Sequence, residues 1–143
     1  MKKLLLLWLL ISSFSCQKDE FDLVPLFDMT GIEGVWETEW TINAQGEQKP
    51  VDLQFTTINK SAHIINVPAN SFGYVEEEII FRYLKIIDPE LGLIAGEMLV
   101  KNGNPASAIW VPVEMQRFSQ EDYMNISVFC SSCANSYLYL RRK

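Results

Sequence analysis

The alternation of apolar and polar residues along this chain predicts an all-β domain of eight short antiparallel strands. Three observations carry that expectation. From Gly31 onward the hydrophobic period is two, so each strand turns one apolar and one polar face. Turn-forming residues interrupt the pattern every eight to fifteen positions. No clear amphipathic helix is present. A closed up-and-down barrel is favoured over a β-sandwich, because closure hides strand edges that would otherwise template aggregation. The sandwich stays as the alternative.

Each strand has its own justification. Trp36, Thr38, Trp40 and Ile42 alternate with Glu37, Glu39, Thr41 and Asn43. The polar stretch 44–50 then turns the chain, and Val51, Leu53 and Phe55 alternate with Asp52, Gln54 and Thr56. Asn59-Lys60 makes the next turn, 61–67 is β-rich, and 68–71 breaks it. The run 75–87 is the longest β-branched and aromatic stretch, stopped by Asp88-Pro89. Its Ile79-Ile80 and Ile86-Ile87 doublets break strict alternation, which calls for burial on both faces or for a bulge. The strand 93–100 ends at Asn102-Gly103-Asn104-Pro105. Ile109, Val111, Val113 and Met115 define the sixth strand, where Pro112 lacks an N–H and so belongs at a bulge or an edge. Met124, Ile126 and Val128 define the seventh. The eighth, 136–142, sets Leu138 and Leu140 opposite Tyr137 and Tyr139. Trp40, Phe55, Phe81 and Met115 fall on inward faces, so a barrel filled by side chains is one expected outcome.

The N-terminus is of a different kind. Met1-Lys2-Lys3 is a basic lead, Leu4 to Ile11 is apolar, and Ser12-Ser13-Phe14-Ser15 brings small polar residues up to Cys16. The apolar run is far shorter than the roughly 20 residues that cross a bilayer, so it reads as a secretory signal over 1–15. A cysteine directly after a small residue here resembles the lipobox of bacterial lipoproteins. That likeness implies that Cys16 takes a diacylglycerol and that the new amine is acylated after cleavage. Ser13 departs from the aliphatic residue usual at its position. An ordinary cleaved signal followed by a free cysteine is the competing reading. The next residues, Gln17-Lys18-Asp19-Glu20, resemble the export tag of surface lipoproteins in one Gram-negative phylum. The likeness implies the outer leaflet of the outer membrane and cell-surface exposure; the alternative is a solvated charged tether. Residues 16–30 thus form a lipidated tether, whose apolar second half is expected to dock on the domain at 31–143.

Removing 1–15 leaves 128 of the 143 residues, enough for one domain with a sizeable core. The whole chain carries a net charge of −6, and loss of Lys2 and Lys3 with the signal makes the mature chain −8. Apart from Arg141-Arg142-Lys143 there is no basic patch, so nucleic acid is an improbable partner. The expected partners are the membrane, through the lipid anchor, and a small apolar ligand or an outer-membrane protein.

Gly34-Val35-Trp36, opening the first strand, resembles the G-x-W signature of lipocalin-like domains. The resemblance covers 31–143 by pattern alone: G-x-W at the start, eight strands, an arginine on the last. It implies that Gly34 lets the chain turn into the barrel and that Trp36 plugs the closed end. It also implies that an arginine of the final strand packs over the indole. Arg141 and Arg142 both qualify; Arg142 shares a face with Leu138 and Leu140 and is preferred. Without a lipocalin likeness, Trp36 and Trp40 are ordinary core aromatics. The likeness implies no particular ligand, although binding of a small apolar or amphipathic one is the leading expectation. A sandwich interaction module, serving an outer-membrane assembly or adhesin, is the alternative.

Three further features bear residue types that can carry chemistry. Cys130-Ser131-Ser132-Cys133 reads best as a local disulfide, since an even pair remains in an oxidising compartment and facing hairpin positions lie within reach. Ser-Ser is a poor two-residue turn, so a wider loop is needed. A redox pair would require a helix after the first thiol, and zinc would require about four soft ligands; free buried thiols complete the alternatives. His63, the only histidine, sits beside Ile65 and Val67 and reads as a core or rim residue. Glu76-Glu77-Glu78 reads as a solvated strand start with no more than two carboxylates on one face. No nucleophile elbow, P-loop, zinc-protease helix or calcium loop is present, so no enzyme activity, metal or cofactor is expected.

Overall fold

The computed structural model describes residues 29–42, 45–101, 105–118, 122–130 and 137–143. Among them, eight strands follow one another around a closed antiparallel up-and-down barrel. They are β1 (Gly34–Thr41), β2 (Gln48–Thr56), β3 (Ser61–Asn66), β4 (Ile79–Asp88), β5 (Leu93–Val100), β6 (Ile109–Arg117), β7 (Tyr123–Val128) and β8 (Tyr137–Arg142). Short 3-10 turns lie at Met29–Ile32 and Pro105–Ser107. The sandwich alternative is overturned, because β1 is hydrogen-bonded to both β2 and β8 within a single sheet.

The period-two pattern sorts side chains inside and outside. Trp36, Thr38 and Trp40 of β1 are buried, as are Val51, Leu53 and Phe55 of β2 and Val111, Val113 and Met115 of β6. On β8, Leu138 and Leu140 are buried while Tyr137 and Tyr139 are each 69% exposed. Eight strands enclose a space just wide enough for side chains, and large ones fill it here. The Trp36 ring meets Phe55 edge-on at 6.3 Å, and Phe55 stacks on Phe81 at 5.9 Å.

β4 departs most from regularity. The expected start at Val75 is wrong: the strand begins at Ile79. Residues 75–78 instead make a turn, in which the Glu78 N–H donates to the Val75 carbonyl at 3.4 Å and Glu77 takes φ 66°. The acidic triplet is therefore part of a loop and does not alternate across a strand. The isoleucine doublets are explained by phase shifts. Between the pairs Arg82–Glu97 and Lys85–Ala95 the register slips, so Tyr83 (φ 54°) and Leu84 together face the single residue Gly96. A second slip lies between Ile86 and Asp88. On the other edge of β4, Ala62 pairs with Phe81 but His63 with Ile79, which leaves Ile80 as an extra residue that is nonetheless buried.

Pro112 sits where its missing donor costs little. It pairs with Glu97 of β5, while the β6–β7 ladder begins one residue later at Val113–Val128. The Pro112 carbonyl accepts from the Phe129 N–H at 3.0 Å, so its ring nitrogen faces the end of that ladder. β2 starts earlier than its polar composition implies, because β1 is long enough to pair Glu39 with Pro50 and Thr41 with Gln48.

Gly96 is needed opposite the bulge. A Cβ there would lie 2.6 Å from Leu84 Cδ2 and 3.1 Å from the Arg82 carbonyl oxygen, and Leu84 is itself enclosed in the core. Gly96→Ala is expected to destabilise the barrel by about 1–3 kcal/mol, as overpacking does. Denaturant unfolding should show that this loss shrinks in a Leu84→Ala background, since the clashing methyl is gone. Equal losses in both backgrounds would show that the glycine serves another purpose.

Candidate functional site

One end of the barrel is closed by residues from both chain termini. Gly34 adopts φ 125°, a backbone region that favours glycine, as the chain passes from the 3-10 turn into β1. Trp36 is fully buried and its indole Nε1–H donates to the Ile32 carbonyl at 2.8 Å. Arg142 stands directly opposite Trp36 in the β1–β8 register, with its guanidinium 4.9 Å from the ring centroid. Its Nη2 donates to the Gly31 carbonyl at 2.6 Å. The two side chains thus strap the 3-10 turn across the barrel floor. Arg141 takes no part: its side chain is 79% exposed and lies 3.6 Å from Glu37. Lys143 adds a second clasp, reaching Asp52 at 2.7 Å and Glu37 at 3.2 Å. Those two carboxylates, accepting its hydrogen bonds, raise the Lys143 pKa above the ordinary lysine value.

The opposite end is stoppered by the loop between β3 and β4. Its Tyr74 ring packs on Trp40 at 5.2 Å, and its hydroxyl donates to the Leu99 carbonyl and accepts the Lys101 N–H. Burial pushes the Tyr74 hydroxyl pKa up; the hydrogen bond from the Lys101 backbone works the other way. The Lys101 ammonium is buried, paired with Glu78 and bonded to the Gly73 carbonyl at 2.8 Å. Asn70 organises the loop by accepting the Tyr74 N–H and donating to the Tyr74 and Pro68 carbonyls.

The concave surface lies on the outer wall. β1 pairs with β2 along its whole length but, among the described residues, with β8 only over Trp36–Thr38. Where that ladder stops, a cleft of about 610 Å³ opens. Glu37, Glu39, Thr41 and Gln48 form one wall, and Tyr123, Tyr137, Tyr139 and Arg141 the other. Beyond the tyrosines a second groove, about 200 Å³, is lined by Glu114, Gln116, Asn125 and Ser127. Tyr137 and Tyr139 border both and form a ridge between them. A separate stack lies on β4–β6, where Arg82 bonds Glu97 at 2.7 Å and lies 3.9 Å over the Trp110 ring.

The remaining sequence-derived candidates are placed as follows. Cys16 and Gln17, Lys18, Asp19 and Glu20 lie outside the described residues. Cys130 is half-buried and disulfide-bonded, whereas its expected partner Cys133 lies outside the described residues. His63, inside β3 and paired with both neighbouring strands, is partly exposed and lies 4.0 Å from a Glu77 carboxylate oxygen. Among the described residues no three His, Cys, Asp or Glu side chains are placed to share a metal ion. Sequence reasoning missed the Tyr74–Lys101–Glu78 stopper, whose partners are far apart in the chain and carry no motif. It also missed the seam cleft, although Tyr137 and Tyr139 opposite two leucines were a visible signal. The chain matches no family model, no curated protein and no solved structure.

The floor closure has a direct test. Trp36→Ala should cost about 3–5 kcal/mol of unfolding free energy, as large aromatic truncations in cores do. Arg142→Ala should cost less alone, and a double-mutant cycle should show coupling of at least about 0.5 kcal/mol. The same cycle with Arg141 should be additive, and coupling there would contradict the contact geometry.

Proposed function

We propose that this chain is an outer-membrane lipoprotein of lipocalin-like architecture, anchored by lipid on Cys16, displayed at the cell surface, and binding a small amphipathic ligand on the outer wall of its barrel. The observation that carries the binding reading is the location of free space. Trp36, Phe55, Phe81 and Met115 occupy the lumen, both ends are covered, and the 610 Å³ cleft lies outside between β1 and β8. That volume falls within the roughly 300–1,000 Å³ of small-molecule sites. The cleft offers tyrosine rings and polar side chains together, which suits a ligand with one apolar face.

The anchoring part rests on sequence: the signal at 1–15, Cys16 behind a small residue, and the charged run Gln17 to Glu20. The lipocalin likeness is supported by the way Gly34, Trp36 and Arg142 meet at the barrel floor. A second reading, an accessory subunit that contacts an outer-membrane protein, is favoured by the same exposed Tyr137 and Tyr139. Neither reading involves catalysis or nucleic acid.

Two experiments test these parts separately. In cells fed an alkyne fatty acid, the wild type should label and Cys16→Ala should not. Replacing Lys18, Asp19 and Glu20 by alanine should keep the label but remove sensitivity to protease on intact cells. Equal labelling would end the lipoprotein reading, and unchanged shaving would end the export-tag reading. For the binding site, any saturable uptake of the amphipathic probe parinaric acid by the intact protein should be weakened by Tyr137→Ala or Tyr139→Ala, whose rings line the cleft. Saturable uptake unaffected by those two truncations would move the site away from the cleft.

A further inference from the structure

We infer that the Tyr137–Tyr139 ridge is a binding site for a neutral oligosaccharide, a claim that rests on the outer-wall reading and names its ligand class. The two rings point outward from the same face of β8, one pleat repeat apart, which is about 7 Å. Both are 69% exposed. A phenol presents a flat apolar face with a polar tip, so it suits ligands that are themselves apolar on one face and polar around the rim. A pyranose ring has that form: C–H bonds on a face, hydroxyls at the periphery.

The flanks decide between ligand classes. On the β1 side stand Glu37, Glu39, Thr41 and Gln48, and on the β6–β7 side Glu114, Gln116, Asn125 and Ser127. Carboxylates accept hydrogen bonds from hydroxyls; amides and hydroxyls both accept and donate. Among the described residues, the only cation lining either groove is Arg141, which lies 3.6 Å from Glu37. Anionic ligands such as a phosphate, a lipid headgroup or a uronic acid would meet the three carboxylates of Glu37, Glu39 and Glu114 against that one cation. A fatty-acyl chain would find Leu138 and Leu140 between the walls but would leave the flanking carboxylates and amides desolvated without partners. A neutral saccharide meets neither objection, and grooves on both sides of the ridge leave room for more than one sugar unit.

The test uses the intact lipoprotein in detergent and a panel of neutral linear hexasaccharides of gluco, manno, galacto and xylo configuration. Polygalacturonate and a basic tyrosine-rich peptide complete the panel. Calorimetry should show saturable binding to at least one neutral member and none to polygalacturonate. Tyr137→Ala and Tyr139→Ala should each weaken binding about tenfold or more, whereas Tyr→Phe at either position should keep most of it. Glu39→Gln should weaken it less than loss of a ring. These side chains are exposed, so an unchanged thermal midpoint verifies folding in every variant. No binding by any neutral member, or binding unaffected by the tyrosine truncations, overturns the inference. Peptide binding that needs the tyrosines, with no saccharide binding, would overturn the saccharide class and leave the outer-wall reading standing. Saturable parinaric acid uptake that the tyrosine truncations leave unchanged would instead remove the outer-wall reading itself.

Discussion

The structure depends on one seam. A sheet of eight strands becomes a barrel only where the first strand finds the last, and among the described residues that junction consists of three rungs, Trp36–Arg142, Glu37–Arg141 and Thr38–Leu140. Three rungs between residues a hundred positions apart must offset a large loss of chain entropy. The side chains around them do much of that work. Arg142 covers Trp36 and bonds Gly31, the Lys143 N–H donates to the Val35 carbonyl at 3.0 Å, and the Lys143 ammonium reaches Asp52 and Glu37. The last two residues thus act as a clasp, on the inner face through Arg142 and on the outer face through Lys143. The partly buried Arg142 contributes mainly through geometry and packing. The half-exposed Lys143 pair is screened by solvent and contributes less.

Once the seam is closed, interior volume becomes the next constraint. Rings at Trp36, Phe55 and Phe81 span the floor, and Trp40 with Tyr74 fills the other end. β4 accommodates this content by bulging: the extra residues bend the strand and let Phe81 and Leu84 both reach the core despite uneven spacing. Gly96 yields the space that the bulge takes. The buried Lys101–Glu78 pair is held by the same logic in reverse. Its charges are removed from water, so each needs the other, the Gly73 carbonyl and the tight loop around Asn70.

What could be read from residues alone follows from these constraints. Strict alternation in β1, β7 and β8, and in β6 from Val111 onward, put the correct side chains inside, because period two maps directly onto two faces; Ile109, at the very start of β6, is instead 45% exposed. Arg142 could be preferred over Arg141 on parity alone, since it shares a face with Leu138 and Leu140. Parity failed in β4, where register slips break the mapping; the isoleucine doublets signalled an irregularity but not its position. The start of that strand was misplaced because Val75 and three glutamates look like a strand edge locally. Their turn is held by a backbone bond to Ile64 and by Lys101, partners that only the folded chain supplies. The cleft was hidden for a similar reason. Its two walls come from opposite ends of the sequence, and its existence depends on a ladder that stops short, which no local pattern encodes.

That shortened ladder also relates the proposed anchor to the proposed binding face. The described chain begins at Met29, on the floor where Trp36 and Arg142 meet, and the proposed lipid lies only about a dozen residues before it. The β1–β8 rungs occupy the floor half of the seam, and the cleft occupies the other half, around Glu39, Thr41, Tyr137 and Tyr139. Under the proposed anchoring, the half of the seam nearest the tether is the half that is sealed. The tyrosine ridge then lies on the barrel wall away from the tethered end, where a ligand approaching from solution meets it first. A lumenal site would have required an open mouth at the Tyr74 end and a less crowded core. The proposed outer-wall site makes neither demand, so the interior is free to be packed for stability.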